Sequence, residues 1–218
     1  MGDVIAYASV LTLNRHDVKI LSIKDSYALH KVVFGLFEDV RSEVEKQRSV
    51  PSGIVYADKG GDFNTRKILI LSTRKPHKTP QFGKVETKTI SADFLSYDRY
   101  SFQITINPGK RDIITGKIVP ITGSENILQW FMSRSSESWG FSVKKESLEL
   151  ERTAVQSFEK AGQRVTHGSA TIKGELAILE RDRFSESFLK GIGRGRSFGF
   201  GLLQIVPIRC VAGTKKFE

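Results

Sequence analysis

The segment VIAYASVLTL (residues 4–13), followed after a short polar stretch by KDSYALHKVVFGLFEDVRSEVEK (residues 24–46), decides the fold class. The first segment is apolar and rich in β-branched residues, which is typical of a buried strand. In the second segment, apolar residues recur at intervals of three and four, which predicts a helix with one apolar face. These residues are Leu29, Val32, Val33, Leu36, Phe37 and Val40. Asp25 or Ser26 is a suitable N-cap.

Further strands follow this strand–helix unit. SGIVYAD (52–58) and KILILSTRK (67–75) are predicted as two strands joined by a Gly/Asp-rich turn. YSFQITINP (100–108) is predicted as a later strand that ends at Asn-Pro and closes the set. The order strand, helix, strand, strand, strand favours a ferredoxin-like domain, a frame that RNA-binding modules often use.

The second half of the chain has a related order of elements. We predict a helix over residues 124–138, with Ser124 as its cap, followed by two long antiparallel strands over 139–160 and 164–180. A short helix over 182–193 and a final strand over 201–210 complete this half. We therefore predict an α+β protein with two tandem ferredoxin-like (RRM-like) domains of the βαββαβ type, each with an antiparallel sheet. The predicted domains span residues 1–112 and 117–218.

The charge balance points to a polyanionic partner. The 218 residues include 34 Lys and Arg against 24 Asp and Glu, a net charge of +10. We find no basic amphipathic helix with a broad apolar face, so a membrane surface is not the expected partner. The apolar N-terminal run has no basic segment before it, so we expect no signal peptide. Cys210 is the only cysteine, which excludes a disulfide framework and indicates a reducing cytoplasm.

GIGRGRSFGFGLLQI (191–205) places five glycines among two arginines and two phenylalanines. Glycines permit positive φ, exposed amides can form an anion-binding concavity, and guanidinium groups suit phosphate. A nucleotide P-loop fits poorly, because no Lys-Ser/Thr follows the last glycine. A tight helix-to-strand turn explains some of the glycines but not the arginines. The segment therefore predicts contact with a polyphosphate backbone through Lys190, Gly193, Arg194, Gly195, Arg196 and Ser197.

Tyr27 and His30 stand three residues apart on the predicted first helix, so their side chains project from neighbouring positions. Histidine suits proton transfer near neutral pH, because its ordinary pKa is about 6.5. Lys31 is a nearby cation for a developing phosphoryl charge. By spacing alone, a histidine on a helix is more often structural or merely exposed than catalytic. The four histidines lack metal-ligand spacing, so no metal or other cofactor is predicted.

The other three histidines are weaker candidates. His16 lies in a predicted turn and is the second choice for catalysis. His77 lies in the basic loop STRKPHKTP, where contact with RNA is plausible. His167 is placed in a hairpin turn beside Gly168, with no functional role.

The glycine segment, read as G-x-G-R-x-x-x-x-G-x-G-L-L, resembles the signature of the CRISPR RNA-processing endoribonucleases of the RAMP superfamily. SYALHKVVFGLF resembles the Tyr-x-x-His helix of that family, ITINP its mid-chain Asn-Pro, and NILQWFMSR the helix that follows its inter-domain linker. Within the family, the order of motifs is most similar to the CasE type of type I-E systems over nearly the full length.

The resemblance implies a function and a set of roles. It implies a metal-independent endoribonuclease that binds the stem-loop of the CRISPR repeat and cleaves precursor crRNA by 2′-hydroxyl attack. The products would be a 2′,3′-cyclic phosphate and a 5′-hydroxyl, and the enzyme would keep the guide RNA within a Cascade surveillance complex of the prokaryotic cytoplasm. His30 takes the position of the catalytic histidine and Tyr27 that of its companion tyrosine.

Two alternatives stay open at this point. A non-catalytic RNA-binding subunit of a CRISPR ribonucleoprotein would carry the same charge and the same glycine segment. Basic residues outside that segment are equally well explained as stem-binding residues or as solvated surface charges. They are Lys110, Arg111, Lys144, Lys145 and Arg164.

Overall fold

The computed structural model describes residues 2–48, 50–62, 64–77, 80–160 and 162–209. They form two antiparallel sheets and a small separate hairpin, with helices packed against the sheets. This arrangement confirms the predicted α+β class with antiparallel sheets.

The first sheet has the strand order β2-β3-β1-β4, with every neighbouring pair antiparallel. Its strands are β1 Val4–Asn14, β2 Ile54–Gly61, β3 Thr65–Ser72 and β4 Lys84–Ser91. Three helices lie between β1 and β2, namely α1 Arg15–Ile20, α2 Ser26–Phe34 and α3 Glu43–Gln47. The strand order is that of a ferredoxin-like domain, but the described residues of the β3–β4 connection contain no helix.

The second sheet has the order β11-β5-β10-β8, with β9 paired along β10. Its strands are β5 Arg99–Ile106, β8 Phe141–Val143, β9 Glu149–Lys160, β10 Gln163–Ile178 and β11 Gln204–Pro207. Helix α4 Ser124–Ser138 lies between β5 and β8 in the chain, and helix α5 Arg181–Lys190 lies between β10 and β11. Strands β6 Gly109–Arg111 and β7 Ile118–Pro120 pair only with each other among the described residues. Without β9, the sequence β5, α4, β8, β10, α5, β11 is a complete βαββαβ unit.

The strand predicted to close the first sheet belongs to the second. Residues 99–106 form β5, which pairs with β10 and β11. The predicted first unit, residues 1–112, therefore loses its last strand to the second sheet. The fourth strand of the first sheet is instead β4, KVETKTIS, whose residues are mostly polar and exposed. A search for apolar runs passes over such an edge strand.

Three element boundaries also differ from the prediction. The helix predicted over residues 24–46 is divided into α2 and α3, because α2 ends at Phe34 and Ser42 begins a new capping box. The N-cap of α4 is Gly123 rather than Ser124. The strand predicted over 139–160 is broken into β8, a 3₁₀ turn and β9. The predicted N-cap Asp25 is confirmed.

Strand β2 of the first sheet is buried on both faces over its first four residues, 54–57. Along β2, Ile54 and Tyr56 pack with α2, while Val55 and Ala57 join the core of the second sheet. Alternate residues of a strand point to opposite faces, so one short strand serves both cores. No helix within the described ranges has the length and apolar character needed to span a bilayer.

Candidate functional site

Helix α2 presents Tyr27 and His30 beside its buried face. The carboxylate of Asp25 accepts a hydrogen bond from a backbone N–H of the first turn and so starts the helix. Leu29 and Val33 are buried against the first sheet, which fixes the rotation of the helix. His30 is half-buried next to them, as its helical position predicts.

The segment 191–203, which we call the glycine loop, is anchored on the second sheet. The Gly201 N–H donates to the carbonyl of Thr105 at 2.8 Å, and the Gly201 carbonyl accepts from the Ile192 N–H at 2.9 Å. Gly201 has a φ of +83°, and a Cβ atom there would lie 2.2 Å from the Ile192 carbonyl oxygen. Only glycine fits this closure.

The glycine loop and helix α2 meet through a side-chain hydrogen bond. His30 Nδ1 lies 2.8 Å from the carbonyl oxygen of Ser197, which belongs to the 3₁₀ turn Arg196–Phe198. A carbonyl oxygen only accepts, so Nδ1 carries the proton and the neutral ring has its basic lone pair on Nε2. The Tyr56 hydroxyl donates to the same carbonyl at 3.1 Å.

Aromatic side chains surround the imidazole of His30. The Tyr27 ring is parallel to it within 8°, with 6.2 Å between ring centroids. Phe34 and Phe198 approach it at centroid distances of 4.2 Å and 5.9 Å. Lys31 Nζ lies 4.5 Å from the centre of the Tyr27 ring. These rings fix the orientation of the imidazole and offer π-faces on which nucleobases can stack.

A cleft of about 960 Å³ opens between helix α2, residues 37–54 and the glycine loop, and we call it the first cleft. Tyr27 and His30 line it together with the predicted loop residues Lys190, Gly193, Arg194, Gly195, Arg196 and Ser197. Its basic side chains are Arg41, Lys46, Arg74, Lys190, Arg194 and Arg196, against the acidic Glu38 and Asp39. The excess of positive charge suits a polyanion.

Most of these cations already have partners. Arg41 is hydrogen-bonded to Asp39 at 2.9 Å and holds the pKa of that carboxyl down at about 2. Arg196 Nη1 donates to the carbonyl of Lys190 at 3.1 Å and so closes the end of α5. Arg194 is exposed, and within the described residues it has no hydrogen bond or ion pair. Among the loop residues, Arg194 is therefore the side chain most available to a phosphate.

A second cleft of about 930 Å³ lies on the other side of the glycine loop, between β6–β7 and β9–β10. Its lining includes His167, which lies within β10 rather than in the predicted hairpin turn. Burial lowers the pKa of His167, and the charge of Arg194 lowers it further. Its Nδ1 atom is buried without a hydrogen-bond partner in the described part of the chain.

A model of the family described as CRISPR associated protein matches residues 6–207. The chain belongs to this family. The CRISPR-associated endoribonuclease Cse3 of Thermus thermophilus is 26% identical to it over 119 residues. That alignment spans 50% of this chain and 56% of the relative, so it covers only about half of each protein.

Solved structures share the fold of this CRISPR-associated protein over nearly its whole length. Cse3 bound to a 19-nucleotide RNA matches with a TM-score of 0.76 and 19% identity, covering 93% of this chain and 99% of that one. Cas6e from Escherichia coli K-12 matches with a TM-score of 0.66 and 20% identity, covering 93% and 100%. The predicted resemblance to the CasE type and the ferredoxin-like fold are confirmed.

Four predicted RNA-binding residues of this CRISPR-associated protein lie away from both clefts. Lys110 and Arg111 are exposed on β6, and Arg111 donates to the Gly116 carbonyl within its own hairpin. Lys144 and Lys145 are exposed after β8. None of the four lines either cleft, and their contact with RNA stays a prediction.

The remaining candidates also lie outside the clefts. His16 is exposed in helix α1 rather than in a turn, and His77 is exposed after β3. Arg164 is exposed near the start of β10. Lys31 is adjacent to His30 in sequence, and its ammonium group lies over the Tyr27 ring instead of in the cleft lining.

Sequence reasoning missed several residues that this CRISPR-associated protein brings to the first cleft. Arg41 and Lys46 lie near the end of the predicted helix 24–46, and Arg74 lies near the end of the predicted strand 67–75, where charges are usually solvated. Tyr56 looks like any buried strand residue, because only the folded loop brings the Ser197 carbonyl to its hydroxyl. No sequence pattern marks these residues, although the net charge predicts that such a surface exists.

Proposed function

We propose that this CRISPR-associated protein is an endoribonuclease that binds the stem-loop of CRISPR repeat RNA and cleaves precursor crRNA without a metal ion. The observation that carries the proposal is the hydrogen bond from His30 Nδ1 to the Ser197 carbonyl, which joins a proton-accepting group to a cationic loop. The activity named for the Thermus relative and the RNA bound in the matching Cse3 structures support it.

The chemistry follows from the protonation state of the imidazole. His30 Nε2 accepts the proton of the ribose 2′-hydroxyl, and the freed oxygen attacks the adjacent phosphorus. The bond from phosphorus to the 5′-oxygen breaks, and that oxygen takes a proton from water as it leaves. The products are a 2′,3′-cyclic phosphate and a 5′-hydroxyl. In the imidazolium that forms, both ring nitrogens are donors. The Ser197 carbonyl keeps accepting from Nδ1 and so stabilises the positive charge of the ring.

Positioning and charge stabilisation come from the neighbours of His30. The Tyr27 hydroxyl orients the attacking group or the phosphate, and Arg194, which lines the first cleft, supplies positive charge as the phosphoryl oxygens become more negative. Loop amides at Gly193 and Gly195 bind the backbone next to the scissile bond. A-form RNA exposes little of its sequence to side chains in the deep major groove, so phosphate contacts and shape dominate stem binding.

The processed guide RNA stays bound, and the protein joins a Cascade complex with the other subunits. A fold match to a chain of an RNA-guided surveillance complex, with a TM-score of 0.68 over 93% of this chain, supports this part of the proposal. The extended basic first cleft is the surface that would retain the product.

The test of the function is cleavage of a cognate repeat RNA in excess chelator. We expect cleavage of the repeat, with product ends that carry a cyclic phosphate and a free 5′-hydroxyl. Enzymatic end-labelling distinguishes these ends from a 3′-hydroxyl and a 5′-phosphate. Bound but intact RNA would instead support the non-catalytic subunit. Cleavage that requires added Mg²⁺ would contradict the metal-independent route.

Arg194→Ala is expected to weaken the binding of repeat RNA about fivefold to tenfold, because it removes a phosphate contact from the glycine loop. The slope of log K against log salt should fall by about one. Filter binding or fluorescence anisotropy at several salt concentrations measures both quantities.

Arg134→Ala is the matched control for Arg194→Ala. Arg134 is an exposed arginine of α4 that lines neither cleft, and its loss changes the net charge equally. If the two substitutions weakened RNA binding equally, Arg194 would contribute only through the net charge of the protein and not through a specific phosphate contact.

A further inference from the structure

We infer that Tyr56 is a positioning residue for the cleavage reaction, because it fixes the Ser197 carbonyl that determines which nitrogen of His30 is basic. The inference rests on the proposed function, since it assigns Tyr56 a role in that reaction. Tyr56 acts through the carbonyl and not on the RNA, so it is not itself a catalytic residue.

The hydroxyl of Tyr56 is held in one chemical state and in one place. Tyr56 is fully buried, at 0% exposure, within β2 of the first sheet. Burial raises the pKa of its hydroxyl well above the ordinary tyrosine value, so the group remains protonated and acts as a donor. It donates to the Ser197 carbonyl at 3.1 Å.

The glycine loop rests on the ring of the same tyrosine. Gly199 has a φ of +88°, and a Cβ atom there would lie 3.2 Å from Tyr56 Cε2. The 3₁₀ turn that carries Ser197 also packs against β2 and α2. The ring of Tyr56 therefore limits how closely the glycine loop approaches β2, and its hydroxyl fixes the direction of the Ser197 carbonyl.

The carbonyl oxygen has two lone pairs and receives two donors, one from each side of the site. Tyr56 comes from the rigid sheet and His30 from helix α2. Because the first hydrogen bond keeps the carbonyl in place, the imidazole gains its own bond only with the proton on Nδ1. Nε2 then has the lone pair that the proposed reaction needs. A free imidazole side chain has no such constraint.

Tyr56→Phe removes the hydroxyl and keeps the ring on which the loop rests. We expect the single-turnover cleavage rate to fall about tenfold, corresponding to the loss of one hydrogen bond, while the dissociation constant for repeat RNA changes less than twofold. Nitrogen-15 NMR of the His30 imidazole in RNA-free protein should show mainly the Nδ1–H tautomer in the parent. In the variant, the Nε2–H tautomer should become populated.

Tyr100→Phe is the matched control. Tyr100 is also a fully buried tyrosine, and its hydroxyl donates to the Phe94 carbonyl at 2.9 Å, in the other core. Tyr100→Phe should lose at least as much stability, because the Tyr100 hydroxyl also accepts from the Tyr97 N–H at 3.2 Å, but only Tyr56→Phe should alter the rate and the tautomer of His30. A falling rate in both variants would point to stability as the cause and overturn the inference.

The NMR measurement separates this inference from the proposed function, because it needs no cleavage. An unchanged His30 tautomer in Tyr56→Phe overturns the positioning role even if the parent protein cleaves RNA. If the tautomer of His30 changes in Tyr56→Phe but the parent protein cleaves no RNA, the hydrogen-bond relation between the two residues holds and the proposed function is rejected. An Nε2–H tautomer in the parent overturns the inference directly.

Discussion

Replacing His30 with alanine is expected to slow the cleavage of repeat RNA about a thousandfold, while RNA affinity changes no more than about threefold. In the proposed reaction, the imidazole accepts the 2′-hydroxyl proton, and general acid–base catalysis typically contributes rate factors of this size. Affinity depends mainly on the cationic lining of the first cleft, which the substitution leaves intact. Single-turnover kinetics and equilibrium binding measure the two effects separately.

His16→Ala is the control for this experiment. His16 is exposed in helix α1 and lines neither cleft, so its removal should leave both rate and affinity unchanged. A large rate loss in His16→Ala, or full activity in His30→Ala, would contradict the assignment of the catalytic histidine. Retained binding with lost cleavage would exclude a purely structural role for His30.

Gly201→Ala is expected to lower the free energy of unfolding by about 3 kcal/mol. The residue is buried at a φ of +83°, and the new Cβ would lie 2.2 Å from the backbone carbonyl oxygen of Ile192. Such strained positions cost on the order of 1–3 kcal/mol before any clash is added. Equilibrium unfolding in urea measures the change, and catalysis should fall as well, because the glycine loop is displaced.

Gly193→Ala separates backbone strain from the clash. Gly193 has a φ of +75°, but no atom of the described residues lies within 4 Å of an added Cβ. Its expected cost is about 1 kcal/mol, from the left-handed conformation alone. Equal losses at Gly193 and Gly201 would show that the close approach at Gly201 contributes nothing.

The fold class could be predicted because apolar periodicity marks most of the elements, but the partition between the sheets could not. Strand β4 has too few buried residues to be recognised, and β5 is apolar enough to fit either sheet. The register that places β5 beside β10 and β11 is decided by long-range pairing, which a local pattern does not contain.

The candidate site was predictable to the extent that it follows from motifs. Tyr27, His30 and the glycine loop carry the family resemblance, and folding brings them together across 167 positions of sequence. His167 and Tyr56 were not predictable as neighbours of the loop, because each lies in a strand that reads as ordinary sheet. Their proximity arises only when the two sheets pack against each other.

The candidate site is divided between the two sheets, so the protein could be split into two fragments that each carry part of the site. The imidazole belongs to the first sheet unit, and the carbonyl that orients it belongs to the second. A break in the connection 92–98, between the sheets, would leave each fragment with only part of the candidate site. Under the proposed function, recovered cleavage of RNA would then show that two separately made fragments had associated.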